Sequence, residues 1–163
     1  MNTTAITKKI SLVIVVLMVL IMAISSPASA SPPEQIHFNV VAGLGGYPGT
    51  WSSSGLVASS GSATFDPFVT GWDPELGMPA TVHDTFTLTD EHGSINFKGQ
   101  GKSAIVTDEN GNPVPGYRLT WVVISGTGNY ADLHGQGKGY AWLDFINGTF
   151  PINMIGQAHY DPQ

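Results

Sequence analysis

From residue 135 to 145 every second position is a glycine or an apolar residue. Gly135, Gly137, Gly139, Ala141, Leu143 and Phe145 fall on one side, and Gln136, Lys138, Tyr140, Trp142 and Asp144 fall on the other. A period of two is the period of a β-strand. Glycine inside a strand leaves nothing to pack and weakens it, so three in alternation need a reason. The reason this pattern predicts is close approach: a strongly bent strand, or a barrel wall crowded by large side chains from across the lumen.

The segment before it carries the same message. Tyr117, Leu119, Trp121 and Val123 alternate with Arg118, Thr120, Val122 and Ile124. These residues are mostly aromatic or β-branched and suit a packed, pleated surface. Toward its end both faces are apolar, which predicts that both are covered there. Gly126 and Gly128 are expected to break this strand. Tyr130, Ala131 and Leu133 then form a small apolar cluster that pins the following link. A nucleotide-binding reading of these glycines fails, since no helix follows to cradle a phosphate.

The rest of the chain reads as short strands divided by glycine and proline turns. Strands are expected over 35–44, 50–58, 61–69, 82–89, 94–107 and 149–160. Phe38, Val40 and Ala42 share one face of the first; Val82, Asp84, Phe86 and Leu88 share one face of the fourth. Residues 90–93, Asn110-Gly111 and Asn147-Gly148 mark tight turns. Residues 66–80 form the longest irregular piece, with Trp72, Leu76 and Met78 expected to be exposed. It reads either as a lid over a barrel mouth or as a loop packed on the surface. Gly99-Gln100-Gly101-Lys102 recurs as Gly135-Gln136-Gly137-Lys138, which would mark two equivalent bent strands of one barrel. No helical period of useful length follows residue 30. Such a chain is a barrel or a sandwich.

The run 123–137, Val-Ile-Ser-Gly-Thr-Gly-Asn-Tyr-Ala-Asp-Leu-His-Gly-Gln-Gly, resembles the signature of the allene oxide cyclase barrel-like proteins. It is most similar to secreted bacterial members, and plant dirigent proteins show a looser version. Residues 49–55, Gly-Thr-Trp-Ser-Ser-Ser-Gly, are also similar to these bacterial members. The resemblance covers most of residues 40–160 and implies an all-β fold, an eight-stranded antiparallel β-barrel. It implies no catalytic residue, because the glycine motif is structural and the relatives differ in chemistry. Cofactor-free cyclisation or isomerisation is the activity type it suggests, and homo-oligomers are frequent among the relatives.

Residues 1–30 read as a cleaved signal peptide. Lys8 and Lys9 open it, residues 10–24 form an apolar run, and Ala28-Ser29-Ala30 offers a cleavage site. The run is short for a bilayer span, so a secreted, extracellular protein with no membrane attachment is expected. The remaining 31–163 form one domain, large enough to bury a core of its own. Removing two leader lysines from a net charge of −6 leaves −8. Only Lys98, Lys102, Arg118 and Lys138 are then positive, which argues against nucleic acid and anionic lipid as partners. There is no cysteine, which excludes thiol nucleophiles, cysteine metal sites and disulfides.

Candidate chemistry is sparse. The five histidines show no metal-ligand spacing, although His83 and His159 would meet if their strands converged; no metal and no cofactor are expected. Asp84 shares its face with Phe86 and Leu88. A carboxylate there is either at a wet strand end or desolvated with a raised pKa, and the second case makes it a general acid/base candidate. Arg118, the sole arginine, would hold a carboxylate or enolate if it faced the lumen, with Tyr117 beside it. The bland alternative places Asp84 and Arg118 in solvent or pairs them with each other. Two functions follow. In one, the lumen takes a small apolar molecule against Phe86, Trp121 and Trp72, and Asp84, Arg118 and Tyr117 do any chemistry. In the other, the barrel is a non-catalytic extracellular protein filled by its own side chains, with Phe86, Trp121 and Phe145 as the expected plug.

Overall fold

A computed structural model describes residues 32–44 and 47–161. The expected signal peptide lies outside the described residues. Eight antiparallel strands close into a barrel in chain order: β1 (Glu34–Gly43), β2 (Tyr47–Gly55), β3 (Ser60–Thr70), β4 (Thr81–Asp90), β5 (Gly93–Thr107), β6 (Pro113–Gly128), β7 (Leu133–Trp142) and β8 (Thr149–Tyr160). β1 and β8 seal the wall through ten paired positions from Glu34↔Ala158 to Gly43↔Thr149. Closure leaves most backbone groups paired and removes most of the free rim an open sheet would present.

The inward faces follow the alternation. Phe38, Phe97, Ile36, Leu88, Ile95 and Val40 are the largest fully buried side chains. Phe38, Phe97 and Trp121 meet edge to face, with centroids 5.3 to 5.9 Å apart, and Phe86 stacks on Phe97 at 4.7 Å. Aromatic quadrupoles favour both arrangements. No polar or charged residue is buried among the described residues, so the centre of the barrel is held mainly by apolar packing.

The glycine runs find their explanation in the register. Gly99 of β5 and Gly137 of β7 pair with Trp121 of β6 from opposite sides, and Gly101 and Gly139 do the same for Leu119. Gly137 in turn pairs with Gly156 of β8. Trp121 therefore stands in a row of bare backbone, and its indole lies along the inner wall with Nε1 donating to the Lys138 carbonyl at 3.1 Å. The repeated Gly-Gln-Gly-Lys runs lie on the two strands that flank one tryptophan, but two residues out of step: the first glycine of one run and the second glycine of the other face Trp121.

Several expectations are corrected. β6 does not break at Gly126. It runs on to Gly128, pairing Gly126 with Ile95 and Gly128 with Gly93. A bulge leaves Ile124 without a partner, as Asn96 pairs with Ser125 and Phe97 with Val123. Gly128 ends the strand because its φ of 60° suits glycine. Val122 and Ile124 are exposed rather than covered, and Ala131 is exposed while Tyr130 and Leu133 are buried. β7 stops at Trp142, so Phe145 is not in the lumen but 76 % exposed. The cause is Asp144, whose Oδ1 accepts the N–H groups of Ile146 and Asn147 at 3.1 and 3.0 Å and turns the chain.

The irregular piece over 66–80 is shorter than expected, because β3 and β4 stay paired to Thr70↔Thr81. What remains is a small hydrogen-bonded hairpin: Asp73 bridges Met78, and Asp73 Oδ2 accepts from Ser103 of β5 at 2.6 Å. Met78 is buried, while Trp72 is 64 % exposed. β2 pairs with β3 only across Ser60–Ala63. The second half of β3 therefore runs beside β4 alone, where Asp66 and Pro67 suit an edge.

Candidate functional site

Two places in the barrel gather polar chemistry, and one of them was visible in the sequence. Asp84 lies on β4 opposite Gly99, in the inward row that holds Trp121. It lines a small void together with Val82, Phe86, Leu119 and Phe150. Burial pushes its pKa up from 3.8 to about 6, and the charge of Asp66 adds to the rise; the Asp66 N–H, donating to Oδ1 at 3.1 Å, works against it. This is the desolvated case. A carboxyl of this kind can give and take a proton near neutral pH.

The void beside Asp84 has a volume of about 30 Å³. That is room for about one water, far below the roughly 300–1,000 Å³ of a typical small-molecule site. Phe86 and Trp121 are buried in the packed centre, as a lumen lining requires, but they fill the lumen instead of framing a space. Trp72 lies outside on the hairpin. Tyr117 points inward, is buried, and packs against Phe150 at 6.1 Å, and desolvation raises its pKa. Arg118, its neighbour, faces outward and is exposed. Asp84 and Arg118 thus stand on opposite sides of the wall and neither meet nor pair. Strand parity already separated Arg118 from Tyr117, so the two could not serve one lumenal site.

The second place was not singled out in the sequence. Asp90 closes β4, and its Oδ2 accepts the Tyr130 hydroxyl at 2.5 Å and the Ser59 hydroxyl. Its Oδ1 accepts the N–H groups of His92 and Gly93 at 2.8 and 3.1 Å. Burial pushes the Asp90 carboxyl up, but the bonds from Ser59, Tyr130 and His92 outweigh it and leave the pKa below the ordinary value. Tyr130 is raised to about 12, by burial first and then by its bond to Asp90. The knot ties three connections together at one end of the barrel. Asp90 was legible only as a turn residue, because its partners lie 31 and 40 positions away.

The histidines do not assemble as considered. His83 faces outward on β4, opposite Phe68 and Gln100. His159 instead stacks on His134 of β7, with centroids 5.5 Å apart, and the Asp161 carboxylate accepts from the His134 Nε2–H at 3.0 Å. Among the described residues, no group of three or more histidines and carboxylates is disposed to hold a metal ion. Compared with known proteins, the chain matches no family model, no curated protein and no solved structure.

Proposed function

We propose that this chain is a non-catalytic binding protein whose barrel is a rigid, self-filled support and whose outer surface carries the function. We place it with the allene oxide cyclase barrel-like proteins, on the strength of its glycine run and its eight-stranded closure, and read it as secreted once residues 1–30 are removed. The observation that carries this reading is the aromatic plug. Phe38, Phe86, Phe97 and Trp121 occupy the lumen, and the void left beside Asp84 is about 30 Å³. A ligand of even about ten heavy atoms would have to displace one of these rings, and exposing a buried aromatic side chain forfeits about 1.5–3 kcal/mol.

Native mass spectrometry of the purified protein, with and without an excess of apolar probes such as a fatty acid or a terpene alcohol, tests the reading. A bare chain under every condition is the expected result. A stoichiometric adduct, lost in the Asp84→Asn variant, would instead support a lumenal ligand site.

One observation favours that second reading. Asp84 is a desolvated carboxyl at the edge of an apolar cleft, which is how a general acid for a cofactor-free isomerisation would be prepared. The size of the cleft weighs against it.

A further inference from the structure

The cations of the wall are not scattered. Lys98 and Lys102 on β5, Arg118 on β6 and Lys138 on β7 are the Lys and Arg residues among those described, and they share one outer face of three adjacent strands. All are exposed. None makes an ion pair among the described residues, where the charge contacts run between histidines and carboxylates. The carboxylates are placed elsewhere. Apart from Asp66 on β3 and the inward Asp84, they sit in loops or at the ends of strands.

This segregation carries a cost. Lys102 and Arg118 are directly opposite in the β5–β6 register, and like charges so placed repel and destabilise a sheet. No neighbouring carboxylate offsets the repulsion. An anionic ligand lying across the two strands would.

Two open depressions on the same face are lined by hydrogen-bonding groups. An open depression of about 780 Å³ is walled by Lys138, Thr120 and Ile155 and by three glutamines, Gln35, Gln136 and Gln157. Those glutamines form one continuous cross-strand row, Gln35↔Gln157↔Gln136. A second depression of about 290 Å³ beside it is lined by Lys98, Gln100 and His83 and shares Thr120. The two Gly-Gln-Gly-Lys runs explain the composition: Gly99, Gly101 and Gly137 sit opposite Trp121 and Leu119 on the inner face and Gly135 sits opposite Ala158, so the Gln and Lys of both runs face outward on the same side.

We infer that this face binds an acidic polysaccharide, a glycan with carboxylates spaced among many hydroxyls. The inference rests on the reading of the barrel as a surface binder and names its ligand class. Amide and hydroxyl side chains recognise sugar hydroxyls, and single cations between them recognise single carboxylates. A nucleic acid duplex, with one charge per about 1.7 Å, asks for a denser basic surface than four separated cations. Depressions lined by glutamine suit a chain laid along them better than a flat lipid surface.

Native gels cast with polygalacturonate, with neutral dextran or with neither, run on the full chain, test this. Retardation by polygalacturonate alone is expected, weakening as salt is raised. The double variant Lys102→Gln/Arg118→Gln should bind about ten-fold or more weakly, with an unchanged circular dichroism spectrum. The pair Lys98→Gln/Lys138→Gln should behave likewise, which guards against misfolding of either one. No retardation at low salt, equal retardation by dextran, or wild-type binding by both doubles would overturn the inference. So would binding to duplex DNA or phosphatidylglycerol vesicles without binding to polygalacturonate. Those failures leave the filled-lumen reading standing, which falls only to an apolar adduct in the mass spectrum.

Discussion

Trp121 lies against the bare backbone of Gly137. A Cβ built on that glycine would stand 2.6 Å from Trp121 Cζ2, and one built on the paired Gly156 would stand 2.5 Å away. Real Cβ atoms do not approach so closely, and each would stand closer still to backbone, the Ile155 carbonyl oxygen for Gly137 and the Gln136 carbonyl oxygen for Gly156, so the indole and the neighbouring strand together require glycine at both positions. Gly137→Ala should push Trp121 off the wall, break its bond to the Lys138 carbonyl and cost about 2–4 kcal/mol. Gly99 supplies the control, since a Cβ there meets Phe86 Cε1 at an ordinary 3.5 Å. Gly99→Ala should be neutral within about 1 kcal/mol. Urea unfolding followed by tryptophan fluorescence reads both, and equal effects would refute the packing account.

Asp84 should make the protein less stable as pH rises from about 4 to about 6. Its folded pKa is raised to about 6 from 3.8, so across that window the unfolded chain gives up the proton while the folded chain keeps it. Fewer protons are bound in the unfolded state, and the slope of stability against pH is negative. Asp84→Asn keeps an acceptor for the Asp66 N–H and carries no charge. It should be more stable than the wild type at pH 7 by about 1–2 kcal/mol, allowing for solvent screening, and no more stable at pH 4. Parallel stability curves for the two proteins across pH 4–8 would show that the carboxyl is not desolvated.

The Tyr130–Asp90 knot should be worth more than a surface contact. Tyr130→Phe keeps the buried ring and deletes the bond to a carboxylate that also holds Ser59. A loss of about 1–2 kcal/mol is expected, with a melting temperature several degrees lower. In the wild type the raised Tyr130 pKa of about 12 means that stability is retained below pH 10 and lost as pH climbs toward 12. Calorimetry at pH 8 and pH 11 separates the two proteins: the gap should narrow at the higher pH.

How much of this was legible beforehand differs by element. The alternations of 82–88 and 117–123 put Phe86 with Leu88 and Trp121 with Val123 on shared faces without saying which face lines the lumen, and all four are buried. The Asn-Gly turns also read correctly, because each depends on a few adjacent residues, whereas the two Gly-Gln-Gly-Lys runs flank one strand but are two residues out of step rather than equivalent. Phe145 misread because one acceptor, Asp144, turns the chain where the alternation would have continued. Gly126 misread because glycine within a paired strand and glycine ending one look alike until the partner is known.

By itself, the sequence settled the quantities that are local: strand period, turn positions, which side chains share a face, and the absence of cysteine. It also placed Arg118 opposite in parity to Tyr117. Tertiary structure alone decided what lies beyond each face. Whether Asp84 meets water or phenyl rings, whether the lumen is a cavity or a plug, and whether four cations scatter or converge depend on which strands become neighbours. Register sets that, through pairings between residues tens of positions apart, and no window of the chain contains both partners.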